Sequence, residues 1–286
     1  MTNLQFIERN IRGENGSLNY VELNPNSPKP ETILLIHGIS ANWRDWGVSI
    51  LSDISSLGYR TIAIDRPGMG YSDRNSDMRS LEDQASFIFH CVSILKLKDL
   101  ILIGHSYGGS LSLKIALKYP KIVKGLMLLS APTHPWEGGL GFLYNTLGLP
   151  FLTSIGSKLI SLMKPRALID STLTDVFYPK EVPKSYKKGL NVDLTMRKTS
   201  LEWIIRDAKE LKVSLNHMCS SYSKMKVPTK IIHCANDKIV PFDLHAQKLS
   251  EKISSSKLIR LTGIGHMPHH FKKNLIIQSL ISLLCK

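Results

Sequence analysis

Three residues of this chain have the types needed to activate a hydroxyl for attack on an electrophile, and each sits in a short local frame. Ser106 is the centre of Gly104-His105-Ser106-Tyr107-Gly108. The four apolar residues before it, Leu100 to Ile103, read as a fully buried strand. Ser110 to Tyr119 has helical spacing, contains no Gly or Pro, and stops at Pro120. A strand passing straight into a helix leaves a very tight turn. Gly104 and Gly108 flank its tip because a side chain there would strike the neighbouring strand or helix. This frame predicts a serine hydroxyl held clear of a sheet, at the positive end of a helix. Two other glycine motifs fail. A phosphate-binding loop needs Lys after Gly109, where Ser110 stands, and the Gly68/Gly70 pair lacks a third glycine at Asp73.

A serine hydroxyl needs a base, and the base needs an orienting group. In alternating strand–helix folds, reactive groups collect at the carboxyl ends of strands. Asp237 follows the apolar run Lys230–Ile232, and His266 follows Lys257–Leu261 in a loop framed by Gly263 and Gly265. The order Ser106, Asp237, His266 is that of a serine–acid–histidine triad on a parallel sheet. Asp73 and Asp243 are the competing carboxylates, but neither directly follows a strand end in the right place.

With 286 residues the chain can build one large core, or a core with a sizeable insertion. Leu4–Arg12 and Leu18–Leu23 alternate around Gly13 to Gly16 and predict an antiparallel hairpin. From Thr32 the pattern changes to buried strands (Ile33–Ile36, Thr61–Ile64, Leu100–Ile103, Val123–Leu129) separated by helices (Trp43–Leu57, Leu81–Leu95, Ser110–Tyr119). It resumes late with strand Lys230–Ile232, helix Asp243–Ile253, strand Lys257–Leu261 and helix Phe271–Leu284. This alternation predicts an α/β fold, a mostly parallel twisted sheet with helices on both faces. Pro132 to Pro228 lacks a buried-strand signature and reads as helices broken by prolines. The expected organisation is therefore a core of 1–131 and 229–286 with a helical cap, or lid, over 132–228. Gly138 to Ser157 carries no charge, yet its glycines, Asn145 and Pro150 make it too polar and interrupted for a bilayer helix.

Together these motifs resemble the α/β-hydrolase superfamily over essentially the whole length. The match includes the elbow, the Asp237 and His266 loops, His37-Gly38-Ile39-Ser40 with Trp46 nine residues past His37, and Asp65-Arg-Pro-Gly-Met-Gly-Tyr-Ser72. The resemblance implies a capped serine hydrolase with Ser106 as nucleophile, His266 as general base and Asp237 as orienting acid. It also implies an oxyanion hole from the backbone N–H groups of Ile39 and Tyr107, each worth about 3 kcal/mol in such sites. The residue chemistry agrees: an imidazole accepts the serine proton and returns it to the leaving group, while a carboxylate fixes the tautomer. A serine at position 106 argues against the dehalogenases and epoxide hydrolases of the superfamily, whose nucleophile is a carboxylate. Three readings stay open: a carboxylic-ester hydrolase, a C–C bond hydrolase of dienoic diketones, and a ligand-binding or sensor protein on the same fold.

Possible pocket residues are Trp46, His134, Trp136, Phe142 and Phe151, with core packing the alternative for His134 and Trp136. His37 and His105 are expected to stabilise their loops, and Asp65 and Arg66 to brace theirs. His266, His269 and His270 do not read as a metal cluster, because Pro268 prevents helical presentation and no carboxylate is evident nearby. No metal and no cofactor are expected. The formal charge of +14 comes from dispersed lysines, without an aromatic platform or nucleic-acid motif. It reads as a solvated surface, and the expected partner is a small-molecule substrate, with neither nucleic acid nor an integral membrane segment. Cys91, Cys219, Cys234 and Cys285 show no metal-like spacing, and Met1 to Asn10 no apolar signal region. Both point to a reducing cytoplasm.

Overall fold

The computed structural model describes residues 6–137 and 150–285, and of 150–152 the backbone alone. Its strands are β1 (Glu8–Gly13), β2 (Gly16–Leu23), β3 (Thr32–Ile36), β4 (Arg60–Ile64), β5 (Leu100–His105), β6 (Val123–Leu129), β7 (Thr229–Cys234) and β8 (Ser256–Leu261). They form one sheet in the order β1-β2-β4-β3-β5-β6-β7-β8. β2 runs antiparallel to β1 and β4, and all later pairs are parallel.

Alternate side chains of each central strand enter opposite cores, as the two-residue period of a strand requires. Leu34, Ile36, Leu100, Leu102, Leu126 and Leu128 pack with helices α3 (Leu81–Ile94) and α4 (Tyr107–Lys118). Ile33, Leu35, Ile101, Ile103, Met127 and Leu129 pack with Trp46, Ile50, Leu51 and the apolar face of Lys273–Leu284. The start of α3 is fixed by a reciprocal cap: Ser80 Oγ accepts from the Asp83 amide, and Asp83 Oδ2 accepts from the Ser80 amide.

Strand register levels the ends that matter. Ile36 lies opposite Gly104, so the loop after β3 emerges beside the loop after β5. Cys234 lies opposite Leu261, so the two loops carrying Asp237 and His266 emerge together.

Between β6 and β7 the described residues contain helices and no strand. They are Pro150–Met163, Arg166–Phe177, Tyr186–Leu190, Val192–Thr195 and Lys198–Met218, followed by a tighter turn Cys219–Lys224. The long helix Lys198–Met218 buries Leu201, Ile204, Ile205, Ala208, Leu211, Leu215 and Met218, a three-to-four spacing that makes one apolar face. Its second half shares the core of the sheet with Tyr222, Met225 and Val227. No helix among the described residues is long and apolar enough to cross a membrane.

Three expected helices differ. Trp43–Leu57 divides into α1 (Arg44–Gly47) and α2 (Leu51–Ser55). Between them the Ser49 hydroxyl bonds back to the carbonyls of Asp45 and Trp46 at 2.6 and 3.3 Å, and such local bonds compete with a helix. Asp243–Ile253 opens with a widened π turn over Asp243–Gln247 before Lys248–Lys252. Finally, Pro268 starts its own one-turn helix, Pro268–Phe271, ahead of Lys273–Leu284.

Candidate active site

Ser106 joins β5 to α4 with φ 51° and ψ −124°, a backbone conformation that costs a non-glycine residue about 1–3 kcal/mol. The strain is held in place by close packing. A Cβ on Gly104 would lie 2.4 Å from the Gly108 carbonyl oxygen, and one on Gly108 would lie 2.2 Å from that of Ile36. The elbow therefore works only with glycine at both positions. Ser106 itself is 8% exposed, buried but reachable.

The structure brings Asp237 and His266 together. His266 Nδ1 donates to Asp237 Oδ2 at 2.8 Å, and Asp237 Oδ1 accepts from the amides of Ile239 and Val240, each at 2.9 Å. Burial opposes charge on Asp237, but the imidazoles of His266 and His233 overcome it and hold the carboxyl well below the usual carboxylate range. An ionised acceptor at Nδ1 leaves His266 Nε2 as the ring's lone-pair nitrogen. Of the rival acids, Asp73 accepts from Ser17 Oγ and Asp243 is exposed on the π turn.

The loop after β3 lies against the elbow: a Cβ on Gly38 would stand 3.4 Å from the Ser106 Cβ. His37 fixes the orientation of this loop. Its Nε2 accepts from the Arg66 amide at 2.9 Å, so the ring proton sits on Nδ1 and is donated to the Gly38 carbonyl at 2.8 Å. Burial, and then the Arg66 charge, push the His37 pKa down to about 3, which keeps this tautomer neutral. Because a trans peptide points its C=O and N–H in opposite directions, tying down the Gly38 carbonyl aims the Ile39 N–H the other way. The Tyr107 amide opens α4 and is one of the donors that a helix leaves unsatisfied in its first turn.

Arg66 does more than brace its own loop. Its NH2 bonds the Ile39 carbonyl at 2.9 Å, and its guanidinium lies over the Tyr107 ring, 4.3 Å from the centroid. NH1 pairs at 2.9 Å with Asp207 of Lys198–Met218, which also takes Arg74 at 2.7 Å. Gln84 completes the buried group with bonds to Asp207 at 3.0 Å and to the Tyr107 hydroxyl at 2.8 Å.

The expected pocket residues are dispersed. Trp46 is a correction: it is completely buried in the core with Ile33 and Leu35, its ring tilted against that of His269, so it has no exposed surface to line a substrate pocket. His134 packs edge-on to Tyr222 with its Nδ1 by Thr133 Oγ1, and Trp136 lies edge-on to His245. Burial, helped by Lys248 and Lys252, pushes the His134 pKa down to about 4. Phe142, like the rest of 138–149, falls outside the described residues, as does the side chain of Phe151.

Sequence reasoning missed a second group. The turn Pro268–Phe271 presents His269 and His270 together, and α1 brings Asp45 to both, so a carboxylate does stand beside the histidines. No local signal announces it, because Asp45 lies 224 residues from His269.

The chain also matches known proteins. The profile of the alpha/beta hydrolase fold family fits residues 31–273, and the chain belongs to this family. It is 27% identical over 256 residues to the AB hydrolase superfamily protein YisY of Bacillus subtilis, covering 87% of this chain and 90% of that one. It is 28% identical over 248 residues to the 2-hydroxy-6-oxononadienedioate/2-hydroxy-6-oxononatrienedioate hydrolase of Escherichia coli, covering 82% and 81%. The esterase EaEST of Exiguobacterium antarcticum superposes with a TM-score of 0.79 at 21% identity, covering 98% of this chain and 100% of that one.

Proposed function

We propose that this α/β hydrolase is a serine hydrolase of small to medium apolar carboxylic esters or related acyl substrates. Ser106 Oγ attacks the acyl carbon and passes its proton to His266 Nε2. The tetrahedral oxyanion is held by the N–H groups of Ile39 and Tyr107. Collapse expels the alkoxide, which takes the proton from His266, and leaves an acyl-Ser106 ester. Water then attacks that ester with His266 again as base. Asp237 keeps the ring in the required tautomer and stabilises the imidazolium.

The observation that carries this reading is the Asp237–His266 bond of 2.8 Å, level with a strained serine elbow whose backbone contacts only glycines allow. The C–C hydrolase reading uses the same residues and is supported by the Escherichia coli relative. The core with a cap over 132–228 stays part of the proposal.

The deciding experiment combines fluorophosphonate labelling with p-nitrophenyl esters of graded chain length. The adduct is expected on the Ser106 peptide, and Ser106→Ala loses both labelling and turnover. Asp237→Asn is expected to lower kcat by about 10³–10⁴-fold. Folded protein that neither labels nor turns over would support a binding role. Labelling without ester turnover, but with cleavage of a dienoic diketone, would favour the C–C reading.

A further inference from the structure

The second polar group, beneath the loop that carries His266, has its own chemistry. Asp45 and His269 are fully buried, and the side chain of His270 is only 4% exposed. Asp45 Oδ2 lies 3.0 Å from His269 Nε2, and Oδ1 lies 2.9 Å from His270 Nε2. The ligand atoms of the three side chains all fall within 4.8 Å of one another. We propose that Asp45, His269 and His270 form a binding site for one divalent transition-metal ion of the zinc, cobalt or nickel type.

The donor set suits such an ion. Two imidazoles and one carboxylate are the mixed N/O set that zinc and its neighbours prefer, whereas magnesium and calcium favour oxygen alone. Ligands about 2.0–2.2 Å from an ion stand roughly 3 Å apart when adjacent, and the two observed O–N separations match that. Proton balance is simple: each imidazole proton moves from Nε2 to Nδ1, and Asp45 exchanges two N–H donors for the cation. Tyr186, whose hydroxyl donates to Asp45 Oδ1 at 3.1 Å, orients the carboxylate.

Charge gives the second argument. The site is walled by the rings of Phe177, Tyr186 and Trp46. Among the described residues no lysine or arginine pairs with Asp45, whose oxygens meet the His269 and His270 rings and the Tyr186 hydroxyl. A divalent ion would more than offset the Asp45 charge, leaving one net positive charge, and would join α1 to the turn three residues beyond His266.

The proposal is independent of the hydrolase reading, and its test keeps the two apart. Protein stripped with a chelator is titrated with Zn²⁺ by calorimetry, and with Co²⁺ by visible absorption. One equivalent is expected in the wild type, with cobalt bands of a low-coordinate site. Ser106→Ala and the surface variant His90→Gln should bind as the wild type does. His270→Gln and Asp45→Asn should weaken binding by roughly tenfold or more, with far-UV circular dichroism confirming their fold. Folded wild type that binds no zinc would overturn the proposal and leave a purely hydrogen-bonded cluster. Equal affinity in folded His270→Gln would also overturn it, by placing the ion elsewhere. If both ligand variants fail to fold, the stoichiometry and cobalt spectrum of the wild type decide.

Discussion

Nε2 of His105 donates a hydrogen bond to the backbone carbonyl of His266, 2.9 Å away. His105 is the last residue of β5 and the neighbour of Ser106, so this bond joins the serine elbow directly to the loop of the histidine it is proposed to use. The His105 ring also faces those of His266 and His269, with centroids 4.9 and 4.5 Å away. Burial, then the neighbouring His269 and His266, hold its pKa well below the ordinary imidazole value, so the ring stays neutral.

His105→Phe keeps the ring and removes the donor. The stranded carbonyl of His266 should cost about 1–3 kcal/mol of stability, and looser placement of His266 should lower kcat more than it raises KM. Denaturant unfolding and ester kinetics on one preparation check both. Unchanged kcat in a destabilised variant would make the bond purely structural.

Asp207 is the second long-range tie. Substituting Asp207→Leu leaves Arg66 and Arg74 buried without their carboxylate, and breaking a buried pair in this way costs about 3–5 kcal/mol. Arg66 also carries the Ile39 carbonyl, so fluorophosphonate labelling of Ser106 should slow even at temperatures where the variant is fully folded. A variant of wild-type stability would show that the pair contributes nothing net.

These ties mark where the sequence was legible. Ser106 and Asp237 follow the buried strands β5 and β7, and His266 follows the part-exposed edge strand β8, each within a few residues, so strand ends bring their loops to one edge of the sheet. The parallel sheet is equally legible because its central strands carry runs of apolar residues, such as Ile33–Ile36 and Leu100–Ile103, and Ile36 opposite Gly104 then follows from pairing. Arg66–Asp207 and Asp45–His269 join residues 141 and 224 positions apart, and only the packing of Lys198–Met218 and of α1 creates those contacts. Arg66 reads locally as a loop brace, and nothing near Asp45 foretells a histidine pair. Trp43–Leu57 reads as one helix for a simpler reason: apolar periodicity continues through Ser49, whose hydroxyl bonds the Asp45 and Trp46 carbonyls where the helix divides.

Cysteine reactivity should follow burial. Cys91 and Cys234 are buried, and burial pushes the Cys91 thiol up to about 12, whereas Cys285 is exposed. Because the thiolate is the reactive form, native protein treated with iodoacetamide should be alkylated first at Cys285 and stay unmodified at Cys91 until unfolded. Peptide mass spectrometry reads this directly. Early modification of Cys91 would mean that α3 opens readily.

The last prediction concerns acid. Asp237 is held ionised in the folded protein by His266 and His233 despite its burial, so its folded pKa lies below the value of about 3.9 for a free aspartate. A carboxylate depressed on folding contributes stability that is complete above the unfolded value and is lost as pH falls toward the folded one. Comparing wild type with Asp237→Asn isolates that contribution, because Asn keeps an acceptor for the Ile239 and Val240 amides but cannot ionise. The gap in unfolding free energy between the two proteins should not narrow from pH 7 to pH 5. It should narrow below about 3.9, where the unfolded chain takes up a proton that the folded chain still refuses. Urea unfolding over this range measures it. A gap that closes between pH 7 and pH 5 would mean that Asp237 is not held ionised, and would remove the orienting charge on which the role of His266 depends.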